Sequence, residues 1–180
     1  MDRNLLKSII EGVIFAHSEP LSADSLATAI QGTTRDEIQS LLDELEQEYR
    51  RRSRGFVLAR VAGGYQFRSL PNVAPWILEM KKVKPSRLSK AALETLAIVA
   101  YNQPITRAEI EQIRGVESAG IMKNLLERDL LCVVGRKDVP GRPILYGTSR
   151  RFLEVFGLAD LASLPPLPDI ESLEVPSQDR

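Results

Sequence analysis

Chemically reactive side chains are scarce in this chain. One cysteine and one histidine among 180 residues exclude an internal disulfide and a Cys/His zinc cluster. They leave only His17 to serve a Ser-His-Asp or Cys-His arrangement. No phosphate loop of the form Gly-x-x-x-x-Gly-Lys-Ser/Thr occurs. No run of about 18 apolar residues exists to span a membrane, and Met1-Asp2-Arg3-Asn4 leads into no signal-type segment. The expected compartment is therefore the cytoplasm. Net charge is also missing, with 24 Lys and Arg against 24 Asp and Glu. His17 falls at the end of a helix, where an imidazole can meet the last carbonyls. Cys132 sits in an apolar strand and reads as a buried small hydrophobe. No enzymatic activity, cofactor or metal is expected.

What is present fits a small α+β protein. Hydrophobic content of 43% and charged content of 27% are ordinary for a folded chain, and the length allows one or two domains of roughly 80 residues each. The pattern is clearest from Leu88 to Gly147. A helix from Ser89 to about Tyr101 places Leu93, Leu96, Ala97 and Ala100 on one stripe. Thr106 with Glu109 forms a capping box for a second helix that Gly115 ends. Ser118 is the expected cap of a third, Ala119 to about Arg128, with Ile121, Met122, Leu125 and Leu126 inward. Leu131–Val134 and Ile144–Tyr146 are then strands flanking a loop from Gly135 to Pro143. Three helices followed by a strand, a wing and a strand is the winged-helix order, a variant of helix-turn-helix.

The first 80 residues repeat this plan. A helix from Leu5 to His17 carries Leu5, Leu6, Ile9, Ile10, Val13 and Ile14 around about half its circumference, wider than one core requires. Either the helix is central in its own domain, or the surplus face meets another copy. Ser22 caps a second helix through Ile30. Thr34 to Glu37 is a capping box for a third, bearing Ile38, Leu41, Leu42, Leu45 and Tyr49. Phe56–Val61 and Tyr65–Arg68 flank Gly63-Gly64 as a two-residue turn, and a helix from Asn72 to Met80 carries Trp76, Ile77 and Met80. Glu19-Pro20-Leu21-Ser22 matches Gln103-Pro104-Ile105-Thr106 at an offset of 84 residues, so that in each copy proline ends one helix and a hydroxyl caps the next. The expected organisation is two tandem winged-helix domains, residues 1–80 and 89–159. A basic linker at 81–88 joins them, and an acidic, proline-rich tail at 160–180 has the composition of an unfolded segment.

Charge argues against base reading by either third helix. Residues 117–129 hold two bases against three acids, and residues 36–48 hold six acids and no base; a DNA reader needs Lys and Arg facing phosphate. Bases nonetheless gather at Arg50 to Arg54, in the linker, in the second wing and at Arg150-Arg151. A solvated surface, weak nonspecific DNA contact and docking of an acidic partner all remain compatible with this.

Three stretches carry a family resemblance: Leu88 to Val116, including Tyr-Asn-Gln-Pro-Ile-Thr; Leu125-Leu126-Glu127-Arg128; and Gly135 to Gly147, reading Gly-Arg-Lys-Asp-Val-Pro-Gly-Arg-Pro-Ile-Leu-Tyr-Gly. Together they resemble the bacterial segregation and condensation protein B family, ScpB. The resemblance implies a non-enzymatic, nucleoid-associated condensin subunit. Such a protein forms a homodimer and binds the kleisin ScpA, which closes the ring of the SMC ATPase around DNA. It further implies that the first winged helix dimerises and the second holds the kleisin.

Two surfaces follow. Leu5, Leu6, Ile9, Ile10 and Val13 are the expected dimer face. Lys123, Arg136, Lys137, Pro140, Gly141, Arg142 and Pro143 are the expected kleisin contacts, because prolines stiffen the wing and arginines fork onto carboxylates. The alternative for the wing is that Gly141 and the prolines merely shape it. A winged-helix transcription regulator, and an interaction module of another complex, are the alternative functions.

Overall fold

The computed structural model describes residues 2–52, 54–82 and 87–167. Its elements run α1 (Arg3–Ala16), α2 (Ala23–Ala29), α3 (Arg35–Arg51), β1 (Phe56–Val61), β2 (Gly64–Ser69) and α4 (Ala74–Lys81). They continue with α5 (Lys90–Asn102), β3 (Ile105–Thr106), α6 (Arg107–Arg114), α7 (Ala119–Glu127), β4 (Leu131–Arg136), β5 (Ile144–Thr148) and α8 (Arg150–Phe156). Single 3₁₀ turns precede α4 and follow α8. Two separate apolar cores result, the arrangement of two winged helices in tandem.

In the first unit, Leu6, Ile10 and Ile14 of α1 meet Leu26, then Ile38, Leu41, Leu42 and Leu45 of α3, and Leu58 of β1. Burying each such side chain contributes about 1.5–3 kcal/mol. Ser22 and Thr34 each accept the expected N-terminal amide, from Ser25 and Glu37. Of the box expected at Thr34, only this forward half forms. The hairpin turn is one residue earlier than the sequence suggests. Val61 pairs with Gly64, so the turn is Ala62-Gly63, with φ of 49° and 73°. Gly64 instead begins β2, because Leu21 exchanges backbone hydrogen bonds with Tyr65 at 3.0 and 2.8 Å. A Cβ at Gly64 would lie 2.8 Å from the Leu21 backbone.

The second unit repeats this contact with an added strand. The sheet order is β3-β5-β4, and Ile105 pairs with Tyr146 as Leu21 pairs with Tyr65. Strand β3 is missing from the sequence reading because two residues carry no periodicity. The buried face of α5 is Ala92, Thr95, Leu96, Val99 and Ala100, rotated from the expected stripe, so Leu93 and Ala97 are exposed. The Thr106–Glu109 capping box forms in full. Ser118 holds the expected N-cap position of α7, but its hydroxyl does not bond the helix; it is buried and donates its N–H and hydroxyl to Glu111 at 3.0 and 3.3 Å, tying α6 to α7. Cys132 is half-buried rather than enclosed, its thiol 3.6 Å from the Thr148 carbonyl.

Gln103 explains part of the Asn-Gln-Pro-Ile-Thr stretch. Its Oε1 accepts the Thr148 N–H at 2.7 Å, while its Nε2 donates to Ala100 O at 3.2 Å and Thr148 Oγ1 at 3.0 Å. One side chain thus fixes the end of α5 to the end of β5. Gly147 makes room for it, since a Cβ there would stand 2.7 Å from Gln103 Oε1.

The two units are joined by directed hydrogen bonds as well as by the chain. The Ala62 and Gly63 amides donate to the carbonyls of Leu158 and Ala159, both at 2.8 Å. Arg68 donates to Glu154 O, and Arg150 reaches back to Pro20 O, both at 2.7 Å. The first wing is therefore spent on the second unit. Residues 160–167, expected to belong to an unfolded tail, are part of the fold: Leu164 packs on the second core and Tyr101 donates to Pro165 O at 2.6 Å. Leu88, expected in an exposed linker, packs there too. The rest of that linker from Val83 to Ser86, and the tail from 168 onward, lie outside the described residues.

Candidate partner-binding surface

The second wing is built by its own backbone. The Lys137 amide donates to Pro143 O and the Arg142 amide to Val139 O, both at 2.9 Å. Gly141 and Arg142 turn the chain with φ of 85° and 39°. Arg136 Nη1 donates to Arg142 O at 3.2 Å, which holds the wing base. Lys137 Nζ pairs with Glu109 Oε1 of α6 at 2.6 Å. That ammonium, followed by the Thr106 amide and hydroxyl, holds the Glu109 carboxyl down at about 2. Asp138, Val139, Pro140, Gly141 and Arg142 are exposed.

The expected contacts are therefore only partly brought together. Lys137, Pro140, Gly141, Arg142 and Pro143 share one loop, and Arg136 ends the strand that enters it. Lys123 does not join them; it faces solvent on α7, 3.9 Å from Glu127. Apolar neighbours missing from the expected set are Val133, Val134 and Val139, all more than two-fifths exposed. Strand β4 is a free edge of its sheet, and paired valines on such an edge are the sequence signal that could have marked it. Between α6 and β5 lies a cleft lined by Arg107, Ala108, Glu111, Pro143, Ile144 and Tyr146.

The expected dimer face needs correction. Leu6 and Ile10 are 1% and 0% exposed inside their own core, so they cannot meet another chain. Ile9 and Val13 are half-buried and pack on that same core. Leu5 remains outward, as does Phe15 near the other end of α1, at 54% and 79% exposure. Helix α4 buries none of its residues, and its Trp76 and Met80 are 67% and 87% exposed. The six apolar positions of α1, in pairs four residues apart, divide between a core and a surface because a helix has more sides than one core can cover.

His17 Nδ1 lies 2.9 Å from Val13 O, at the helix end. Among the described residues there is no group of three His, Cys, Asp or Glu side chains able to hold a metal ion, and no helix is long and apolar enough to cross a membrane.

These features define a tandem winged-helix protein whose third helices are acidic or charge-balanced and whose second wing is a basic loop with an apolar edge. Residues 8–167 match the family of segregation and condensation complex subunit ScpB. A segregation and condensation protein B from Syntrophotalea carbinolica is 50% identical over 99% of this chain and 90% of its own. One from Bacillus subtilis is 44% identical over 91% and 83%. A solved dimer of a ScpB N-terminal domain complexed with a ScpA peptide is 27% identical over 43% of this chain and 95% of that one, with a TM-score of 0.40. The chain belongs to the ScpB family of segregation and condensation proteins.

Proposed function

We propose that this protein is a non-enzymatic, cytoplasmic subunit of the bacterial SMC condensin. It acts at the nucleoid as a homodimer that binds the kleisin ScpA. The observation that carries this reading is the family match over residues 8–167 to a subunit of a segregation and condensation complex. The charge of the third helices supports a protein ligand over DNA: α3 has six acidic residues between Asp36 and Glu48, and phosphate would be repelled there.

In this reading residues 1–80 dimerise and residues 89–159 take the kleisin. The dimer face is the outward side of α1 with α4, through Leu5, Phe15, Trp76 and Met80. The kleisin segment lies on the second wing, where Arg136 and Arg142 meet carboxylates and Val133, Val134 and Val139 supply apolar contact.

Light scattering coupled to size exclusion tests it, on the protein alone and with the central fragment of its cognate ScpA. The expected result is a dimer that takes up the fragment. A monomer that ignores the fragment overturns the reading. Arg136→Glu with Arg142→Glu should weaken uptake by about tenfold or more, and unchanged uptake would remove the wing from the contact.

A further inference from the structure

A cleft of about 990 Å³ lies between the two units, separate from the second wing. Four arginines line it, Arg50, Arg52, Arg54 and Arg60, with Glu46 the one acidic lining residue. Arg50 is neutralised by Glu46 at 2.7 Å and Arg60 by Asp43 at 2.9 Å. Arg52 and Arg54 have no ion pair among the described residues; Arg54 lies over the Tyr49 ring at 5.1 Å. Of the nearby carboxylates, Glu48 is paired with Lys7, while Glu11 accepts from the Tyr49 hydroxyl and keeps its charge beside Arg52 and Arg54. Two guanidiniums against one carboxylate leave a net positive charge over a floor that includes the half-buried Val57, Leu70 and Leu158. Such a site suits an acidic chain bearing apolar side chains better than a nucleic acid, which offers phosphates but no aliphatic groups.

A segment of that chemistry belongs to this chain. Residues 168–180 carry four carboxylates against one arginine, and Asp169-Ile170-Glu171-Ser172-Leu173-Glu174-Val175 interleaves three acids with three aliphatics. Ser163 lines the cleft, the next residues Leu164 and Pro165 are held on the second unit, and the seven residues from Leu167 to Glu174 can span at most roughly 25 Å. We propose that the arginine-lined cleft between the two units docks this chain's own acidic stretch, residues 169–175, through Arg52 and Arg54. Docking closes the cleft to other acidic segments and is weak enough to be displaced, since exposed ion pairs contribute little and are screened by salt.

Hydrogen exchange on the full chain tests this in four forms: wild type, tail-neutral Asp169→Asn/Glu171→Gln/Glu174→Gln, cleft-reversed Arg52→Glu/Arg54→Glu, and cleft-reversed with Glu171→Lys/Glu174→Lys. At low salt the wild-type amides of 169–175 should exchange about fivefold more slowly than in the tail-neutral form. That protection should vanish in the cleft-reversed form, return with the charge swap, and disappear in about 1 M salt, where the screening length is roughly 3 Å. Unchanged protection of Leu41 to Leu45 in each variant shows that the first core is intact. Tail protection that survives cleft reversal, or equal exchange in all four forms, overturns the proposal. Protection that grows with protein concentration also overturns it, in favour of the tail of a second copy.

Discussion

Replacing Gly147 by alanine should cost stability only through Gln103, and the two positions together make that claim testable. The added Cβ would lie 2.7 Å from Gln103 Oε1 and 2.9 Å from Val134 Cγ1. Both are side-chain ends, so neither is immovable, but the glutamine is held by Thr148 N at 2.7 Å, Ala100 O at 3.2 Å and Thr148 Oγ1 at 3.0 Å. Moving the amide forfeits the two backbone bonds, whereas the rotatable Thr148 hydroxyl can find another partner. At about 1 kcal/mol net for each, Gly147→Ala should destabilise the second unit by about 2 kcal/mol. Gln103→Ala removes the same bonds directly and should cost about the same. Once Gln103 is truncated, however, the new Cβ meets only Val134, whose exposed side chain has room to turn away. The double variant should therefore also cost about 2 kcal/mol, where independent sites would total about 4. In a unit of this size each single change corresponds to roughly 10 °C in melting temperature. Calorimetry on the four proteins gives the cycle, with Thr148 amide exchange as a local readout. Additive losses would show that Gly147 is required for some reason other than the glutamine.

Gly64→Ala should be the harsher glycine substitution, at about 3 kcal/mol or more, because its Cβ would strike the Leu21 backbone at 2.8 Å and break the bridge to Tyr65; thermal unfolding that leaves the first unit unchanged would refute this. Glu109 has its carboxyl lowered from 4.5 to about 2, so its pairing with Lys137 and Thr106 stabilises the wing above the ordinary carboxyl range and is lost as pH falls from about 4.5 through 2. A carbon-13 titration of Glu109 should show the low value, and Lys137→Gln should raise it; an unmoved titration would mean that the ammonium is not its cause. Arg68→Ala with Arg150→Ala removes two of the bonds between the units, and X-ray scattering should then show a broader distance distribution while each core melts as before.

Periodicity and caps made most elements legible: the 3.6-residue pattern of α3, the Thr106 box, and Gly115, with φ of 71°, closing α6. The readings that failed share a physical cause. Whether Gly63 or Gly64 enters the turn depends on how close Leu21 comes, and that contact spans more than forty residues. Which face of α5 is buried depends on how α6, α7 and β5 pack against it, and the side left over, Leu93, Ala97 and Tyr101, lines an open apolar groove with Leu158 and Leu164. Ser118 has the composition of a cap but is claimed by Glu111, seven residues earlier in the chain. For the candidate surfaces, the charged half of the wing was visible as Arg136, Lys137 and Arg142. Its apolar half was not, because exposure of Val133 and Val134 follows from β4 standing at the sheet edge.

The duplicated plan places equivalent parts under different demands. Both units use a residue after the proline, Leu21 or Ile105, to pair with a hairpin tyrosine, Tyr65 or Tyr146. The framework that sets each hairpin against its helices is therefore common to both. The loops then diverge. The first is cut to Ala62-Gly63, whose two amides are both consumed by Leu158 and Ala159; a longer or charged loop would separate those groups and leave four backbone polar atoms to find other partners. The second extends from Lys137 to Pro143, closes on its own carbonyls, and leaves Arg142 and Val139 facing solvent. A wing that satisfies its own backbone can offer its side chains to a partner with little further ordering. The duplication has thus separated two tasks: one wing fixes the relative position of the units, and the other stays free.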